Sequence, residues 1–266
     1  MFDLDRYLER IGLSGRPTLA DVHRAHVTSI PFENLDPYQG RGVSLALDDL
    51  IRKLVDDRRG GYCFEHNLLL GAALEALGMN VELYLARVRA GAPPGATRPR
   101  SHLVLRVTDG AGNWHADAGF GIGTLLEPIP FGPGIAHDQA GWSFRVVQDG
   151  DELVLQAARP EGWSDLYGFV PQPVPRIDVE VSNWFTATHP RSIFVTSLIA
   201  GTQDASGRLV SLHDRSGGFK LTDQTPERTS ITPVALAEVP ALLASRFGLP
   251  GFGLGDDGRI LRTAGG

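Results

Sequence analysis

The sequence predicts an α+β chain in which helices come first and an antiparallel sheet follows. Three observations lead to that class. Apolar side chains recur at helical spacing through the first third of the 266 residues. From Val81 onward they alternate with polar ones, as on a strand with one buried face. Glycine, asparagine and aspartate cluster between the alternating runs, where tight turns need them.

The helical elements are expected over Phe2 to Ile11, Thr18 to Ser29 and Leu47 to Asp57, the last with Leu47, Leu50, Ile51 and Leu54 along one face. It should stop at Arg58-Arg59-Gly60-Gly61, whose paired glycines permit positive φ and a sharp reversal. A further helix starts at Cys63 and ends near Gly78 and Asn80; Phe64, Leu68, Leu69, Ala72, Ala76 and Leu77 give it the helical period. Strands follow over residues 81–90, 102–107, 114–118, 142–147 and 152–157, an antiparallel meander that should curve into a barrel. Two glycine- and proline-rich loops, Gly91 to Arg100 and Gly119 to Gly134, are long enough to carry function. A proline-rich crossing (171–176) precedes a helix from Asp178 to Thr188. Short strands are expected around Val195 to Ala200, Arg208 to Leu212 and Gly218 to Leu221. A last helix runs from Glu238 to Phe247, with Pro240 tolerated in its first turn.

Composition narrows the function. The 31 acids and 25 bases are interspersed, without the basic stripe that tracks a phosphate backbone, so no nucleic-acid partner is expected. The N-terminus lacks the basic start of a signal peptide, and no run reaches the roughly 18 apolar residues of a membrane span. A cytoplasmic protein without a membrane partner is therefore expected. One cysteine can form neither an internal disulfide nor a cysteine-rich zinc site, and no HExxH helix is present, so no metal is expected.

That single thiol needs another account. Cys63 follows a glycine turn at a helix start, where free N–H groups and the helix dipole favour an anion. A lone cysteine is by default a small buried hydrophobe, and the turn offsets that default only in part. A thiol nucleophile also needs a base and a third group to orient the base. Of the eight histidines, His66 lies one helical turn beyond Cys63 and reads as a packing or capping residue. His102 opens a strand and Asp117 closes a nearby one. Singly, they are equally compatible with a surface strand end and a loop cap. Together with Cys63 they give the chain order Cys, His, Asp of a papain-like arrangement.

Extended local identity then singles out a family. Residues 59–67, RGGYCFEHN, resemble the active-cysteine signature of arylamine N-acetyltransferases. The same family's pattern recurs in Ile30-Pro31-Phe32-Glu33-Asn34-Leu35, in Ser101-His102-Leu103-Val104-Leu105, in Asp117-Ala118-Gly119-Phe120-Gly121, and in Thr188-His189-Pro190 followed by Phe194. The resemblance spans nearly the whole chain in order. It implies Cys63 as nucleophile, His102 as general base and Asp117 as the carboxylate that orients it. It further implies Arg59 and Glu33 as a structural ion pair, Phe120 and Phe194 as walls of an aromatic acceptor pocket, and Gly121, Gly123 and Thr124 as contacts to acetyl-CoA, the acyl donor. Ile122 departs from the pattern, because many members carry two adjacent glycines after the phenylalanine. Any C-terminal extension of the family is expected to be short or absent here, with a matching effect on coenzyme affinity.

The implied fold has a papain-like core in three parts: a helical unit carrying the nucleophile (1–86), a β-barrel carrying the histidine and aspartate (87–187), and an α/β lid (188–266). The implied reaction passes an acetyl group from coenzyme A to an arylamine, arylhydroxylamine or arylhydrazine by a ping-pong route through acetyl-Cys63. Two other readings keep parts of this set. Water as acceptor would make a cysteine hydrolase of thioesters or amides; loss of chemistry would leave a binder of coenzyme A or aromatic ligands.

Overall fold

Cap residues set where the first helices begin. In α1 (Leu4–Arg10) the Asp3 carboxylate accepts from the Arg6 N–H. Ahead of α2 (Leu19–Ser29), Thr18 and Asp21 cap each other's backbone reciprocally. The computed structural model describes residues 2–93, 95–121, 123–214 and 217–263. Next come a two-residue strand β1 (Phe32–Glu33) and a short turn of helix α3 (Leu35–Tyr38).

The helix expected over Leu47 to Asp57 is not uniform. It begins as α4 (Leu47–Leu50) and widens into a π-helical turn, Ile51–Asp56. Within that turn Lys53 is drawn inward to Asp36 and Glu65, at 2.7 Å each. Such wide turns occur where a side chain must be re-aimed. Helix α5 (Cys63–Ala76) starts at the predicted residue. It is apolar nearly all round because it is enclosed on all sides: α1 and α2 pack on it, and strands β2 (Asn80–Val88) and β3 (His102–Asp109) lie across it.

The sheet that follows has eight antiparallel strands, adding β4 (Gly112–Ala116), β5 (Ile129–Pro130), β6 (His137–Gln139), β7 (Trp142–Asp149), β8 (Glu152–Arg159) and β9 (Gly162–Phe169) in the order β5-β4-β3-β2-β9-β8-β7-β6. It curls into a nearly closed barrel around Tyr84, Val104, Phe144, Leu155, Tyr167 and Phe169. Strand β9, which joins the two halves by pairing with both β2 and β8, is absent from the sequence-based reading. A bulge explains the omission. The β8–β9 register slips between Leu155 and Gln156, so Leu166 and Tyr167 are both buried and the two-residue alternation is lost. The loop expected over Gly119 to Gly134 also contains structure, since β5 pairs with Trp114 and His115.

Beyond the crossing segment, α6 (Arg176–Thr188) forms as expected. The strand expected from Val195 is corrected: a short helical turn, α7 (Ile193–Thr196), comes first, capped by the Ser192 hydroxyl on the Phe194 N–H. Local capping overrides the strand preference of the β-branched Val195 and Thr196. Strand β10 (Ile199–Gln203) then enters a second antiparallel sheet, β1-β10-β11-β12-β13, with β11 (Leu209–His213), β12 (Phe219–Gln224) and β13 (Thr229–Val234). The chain continues through α8 (Val239–Phe247), with Pro240 in its first turn, to the hairpin β14 (Phe252–Leu254) and β15 (Ile260–Arg262). No helix among the described residues is long and apolar enough to cross a membrane.

Candidate active site

The approach to Cys63 is built from backbone packed too closely for side chains. A Cβ at Gly60 would stand 1.9 Å from the Pro31 carbonyl oxygen, and one at Gly61 2.7 Å from the Glu65 carboxylate. Close approach, not positive φ, is thus what requires these glycines; the left-handed residue in the turn is Arg58, at φ 50°. Gly61 accepts from the Glu33 N–H at 2.8 Å, and the Glu65 carboxylate accepts from the Tyr62 N–H at 3.0 Å. Cys63 therefore enters the first turn of α5 on a fixed path, among the N–H groups that a helix start leaves without intrahelical partners. It is 3% exposed, and its Sγ lies 3.6 Å from the Ser101 carbonyl oxygen.

Neighbouring strands bring the other two candidates to the thiol. His102 is the first residue of β3, and Asp117 directly follows β4, which pairs with β3. Their contact is 2.7 Å, Nε2 to Oδ2, and both are buried. With Nε2 turned to Asp117, Nδ1 is the ring nitrogen left for the thiol, whose nearness helps to raise the imidazole's pKa. Burial alone would lower the imidazole's pKa. The Asp117 charge, its hydrogen bond and the Cys63 contact more than reverse that, raising it to about 10. Burial likewise disfavours the Asp117 carboxylate, yet the His102 charge and the bonds from His102, Asn67 and Gly119 hold its pKa well below the usual range.

Asp117 is clamped from several directions that the sequence did not reveal. Asn67, one turn along α5 from Cys63, donates from Nδ2 to Asp117 Oδ1 at 2.9 Å and accepts from the Ala118 N–H at 2.9 Å. The Gly119 N–H donates to Oδ1 at 2.9 Å, and the Asp117 N–H donates to His23 Nε2 at 3.1 Å. Tyr167, from the unforeseen β9, meets His115 Nε2 at 2.7 Å and packs its ring against His102 at 4.7 Å between centroids. Asn67 stood in the sequence as the last residue of RGGYCFEHN; Tyr167 carried no local signal. His66 spans His26 at 2.9 Å and the Pro31 carbonyl at 3.2 Å, away from the thiol.

The remaining predicted residues fall around this centre in different ways. Phe120 meets the His102 ring edge-to-face at 5.3 Å. Phe194 packs on Tyr62 at 5.4 Å and Phe32 at 6.2 Å, beside Cys63. Arg59 and Glu33 are in contact at 2.7 Å, inside a wider cluster with Asp36, Lys53 and Glu65. A Cβ at Gly119 would meet the Cys63 Cα at 2.7 Å. Gly121 and Gly123 both have positive φ, 87° and 85°. Thr124 has a task the sequence did not suggest: it is buried, and its hydroxyl donates to the Asp117 carbonyl at 2.6 Å. Ile122 lies outside the described residues.

Comparison with known proteins adds an independent line. A family model described as N-acetyltransferase matches residues 17–250. The arylamine N-acetyltransferase of Mycolicibacterium smegmatis is 44% identical over 230 residues, which is 81% of this chain and 83% of that protein. That of Mycobacterium bovis is 38% identical over 97% of this chain and 93% of its own length. Among solved structures, the Mycobacterium marinum arylamine N-acetyltransferase in complex with CoA superposes with a TM-score of 0.87 at 39% identity, covering 93% of each chain.

Proposed function

Because the chain belongs to the arylamine N-acetyltransferase family, we propose that it moves an acetyl group from acetyl-CoA to an aromatic amine, with Cys63 as the covalent carrier, His102 as the base and Asp117 as its orienting carboxylate. The observation that carries this reading is the buried 2.7 Å contact between His102 and Asp117, on an imidazole whose pKa the neighbouring Cys63, at the start of α5, helps to raise.

His102 takes the thiol proton, and the sulfur adds to the thioester carbonyl of the donor. The backbone N–H of Cys63, free at the helix start, is the donor nearest the developing oxyanion. When the tetrahedral adduct collapses, the carbon–sulfur bond to coenzyme A breaks, His102 returns the proton to the departing thiolate, and acetyl-Cys63 remains. The amine nitrogen then adds to the same carbonyl and His102 removes its proton. The second adduct expels Cys63 as a thiol, with the proton coming back from His102, and leaves an N-aryl acetamide. Donor and acceptor use the site in turn, so the kinetics are ping-pong. Asp117 holds one tautomer and stabilises the imidazolium at each transfer.

Flat apolar walls suit an aryl ring, and Phe120 and Phe194 supply them on two sides of the thiol; arylhydroxylamines and arylhydrazines fit the same walls. Gly121, Gly123 and Thr124 offer backbone to the donor, and the Thr124 hydroxyl also holds the Asp117 carbonyl. The helical unit with α5 and the barrel form the papain-like core of this reading, and the C-terminal α/β part is its lid. We place the reaction in the cytoplasm. Incubation with acetyl-CoA alone should add one acetyl mass to the peptide containing Cys63. Turnover without that adduct would remove Cys63 from the mechanism, and hydrolysis of acetyl-CoA with no acetylated amine would replace the transferase by a hydrolase.

A further inference from the structure

Five of the eight histidines are buried, and one of them, His23, reaches the main chain of the triad from outside it. It lies in α2, in the helical first part of the chain, and is fully enclosed. Its Nδ1 is 3.1 Å from the Leu126 carbonyl oxygen, and its Nε2 is 3.1 Å from the Asp117 backbone nitrogen. A carbonyl only accepts and a backbone N–H only donates, so Nδ1 carries the proton and Nε2 presents its lone pair. The two bonds admit a single form of the ring, the neutral Nδ1–H tautomer. Burial, the leading cause, lowers the imidazole's pKa and favours that form at neutral pH.

One end of this bridge is a fixed point. The Leu126 N–H donates to Gln139 Oε1 at 2.9 Å, and Gln139 Nε2, from β6, donates to the Glu127 carbonyl at 2.8 Å. Arg24, the next residue of α2, reaches the Glu127 carboxylate from Nε at 3.0 Å, so two adjacent side chains fix α2 against this corner of the barrel. At the other end the β3–β4 ladder stops at Ala116, opposite Leu105, and the Asp117 N–H falls one residue beyond it. His23 supplies the acceptor that a neighbouring strand no longer does. The Asp117 side chain is held separately, through Oδ1, by Asn67 and the Gly119 N–H. Those bonds set the carboxylate's rotation. The main-chain bond sets where the side chain starts from, and hence whether Oδ2 meets His102 Nε2 at 2.7 Å.

Resting on the acetyl-transfer reading above, we propose that His23 is a positioning residue for the reaction: a neutral imidazole that ties the Asp117 peptide to the anchored Leu126 carbonyl and so keeps the carboxylate in register with His102. Without that acceptor a buried N–H is left unpaired, and the peptide turns towards another partner. A displacement of about 1 Å in a reacting set lowers the rate by about a hundredfold. His23 has no exposed surface from which to touch a donor, so its loss falls on the chemical step and not on binding.

The test compares His23→Gln with His23→Met, which are similar in length and differ in whether the end of the side chain can accept from the Asp117 N–H. Single-turnover acylation of Cys63 is followed at rising acetyl-CoA, and rates are taken per folded protein from urea unfolding under the same conditions. His23→Met should lower the limiting rate by about tenfold or more and leave the half-saturating concentration within about twofold of the wild type. His23→Gln should recover most of that rate. In the wild type, the imidazole nitrogen NMR spectrum at neutral pH should show His23 Nδ1 with a proton and Nε2 without one. Equal limiting rates for the two variants, or a loss carried by half-saturation alone, overturns the proposal and leaves His23 as a packing residue of α2. A proton on Nε2 overturns it whether or not the variants fold. A wild type that acylates Cys63 at no concentration of acetyl-CoA sinks the transfer reading itself, and this role with it.

Discussion

Helix α5 separates two buried polar regions that treat charge in opposite ways. On the side of the proposed triad, His102 and Asp117 form one short contact whose imidazole has the Cys63 thiol as its other neighbour, so a proton has somewhere to go. Beneath the helix start, Arg59 and Lys53 face Glu33, Asp36 and Glu65 at separations of 2.7 to 2.9 Å for the close pairs. Every charge there is met, and the result is a lattice that pins β1, the π-turn and α5 together. The Lys53 and Arg59 pKa values are raised beyond any pH at which the protein would be studied, despite burial, by those carboxylates. Reactivity thus sits where one partner is left exchangeable, and rigidity where none is.

The largest effect that would sharpen this contrast is expected from Asp117→Asn. The amide keeps the shape and removes the charge that supports the imidazolium, and such a change in a related triad lowers turnover by about ten-thousand-fold. Urea unfolding at pH 7 should weaken as well, because the same charge holds the His102 pKa up, so the rate is measured on protein that remains folded. A rate loss under tenfold would show that His102 does not depend on Asp117. Arg59→Leu is the converse. Removing one member leaves Glu33 buried beside a single cation, at a cost of about 3–5 kcal/mol in unfolding free energy. Protein that remains folded should acylate Cys63 at nearly the wild-type rate; a large rate loss at full stability would place Arg59 in the chemistry.

How much of this was readable from the chain follows the locality of each signal. Capped helices announce themselves within four residues, so Thr18 with Asp21 and the start at Cys63 were legible. Strand β9 was not, because its bulge buries Leu166 and Tyr167 in succession. Strand β13 was hidden too: Thr229 to Val234 is mostly exposed and carries Pro233, so no buried face marks it. In the site, the residues alone offered His102 and Asp117 as strand ends in a papain-like chain order, and the family pattern chose them. Their clamp could not be read at all. Asn67 and His23 reach Asp117 from α5 and α2, Tyr167 packs on His102 from β9, and no local pattern records a meeting of elements that distant. Thr124 shows the same limit from the other side, since nothing local announced that its hydroxyl would donate to the Asp117 carbonyl.

The smallest of the expected effects concerns pH, and it separates two kinds of buried histidine. Beneath α5, Tyr7 donates to His26 Nδ1 at 2.7 Å, His26 Nε2 donates to His66 Nδ1 at 2.9 Å, and His66 Nε2 donates to the Pro31 carbonyl at 3.2 Å. Every proton in that chain is assigned only if both rings are neutral. Burial, the leading cause, lowers the pKa of His66 and of His115 to about 4, and lowers those of His23 and His26 as well. For these rings the unfolded chain binds protons that the folded one refuses, so stability is lost as pH falls from about 6.5 towards 4. The cost is on the order of 3 kcal/mol for each group displaced to about 4. His102 has the opposite sign. Its pKa is raised to about 10, so its contribution is fully present below about 6.5 and is lost as pH rises through 10. Unfolding free energy measured by urea titration should therefore be greatest near pH 7 and fall on both sides. His66→Asn should flatten the acid limb and leave the alkaline limb in place, whereas Asp117→Asn should flatten the alkaline limb. A stability profile that stays level between pH 7 and 5 would show that the histidines beneath α5 accept protons in the folded state, and the distinction between the two sides of the helix would not hold.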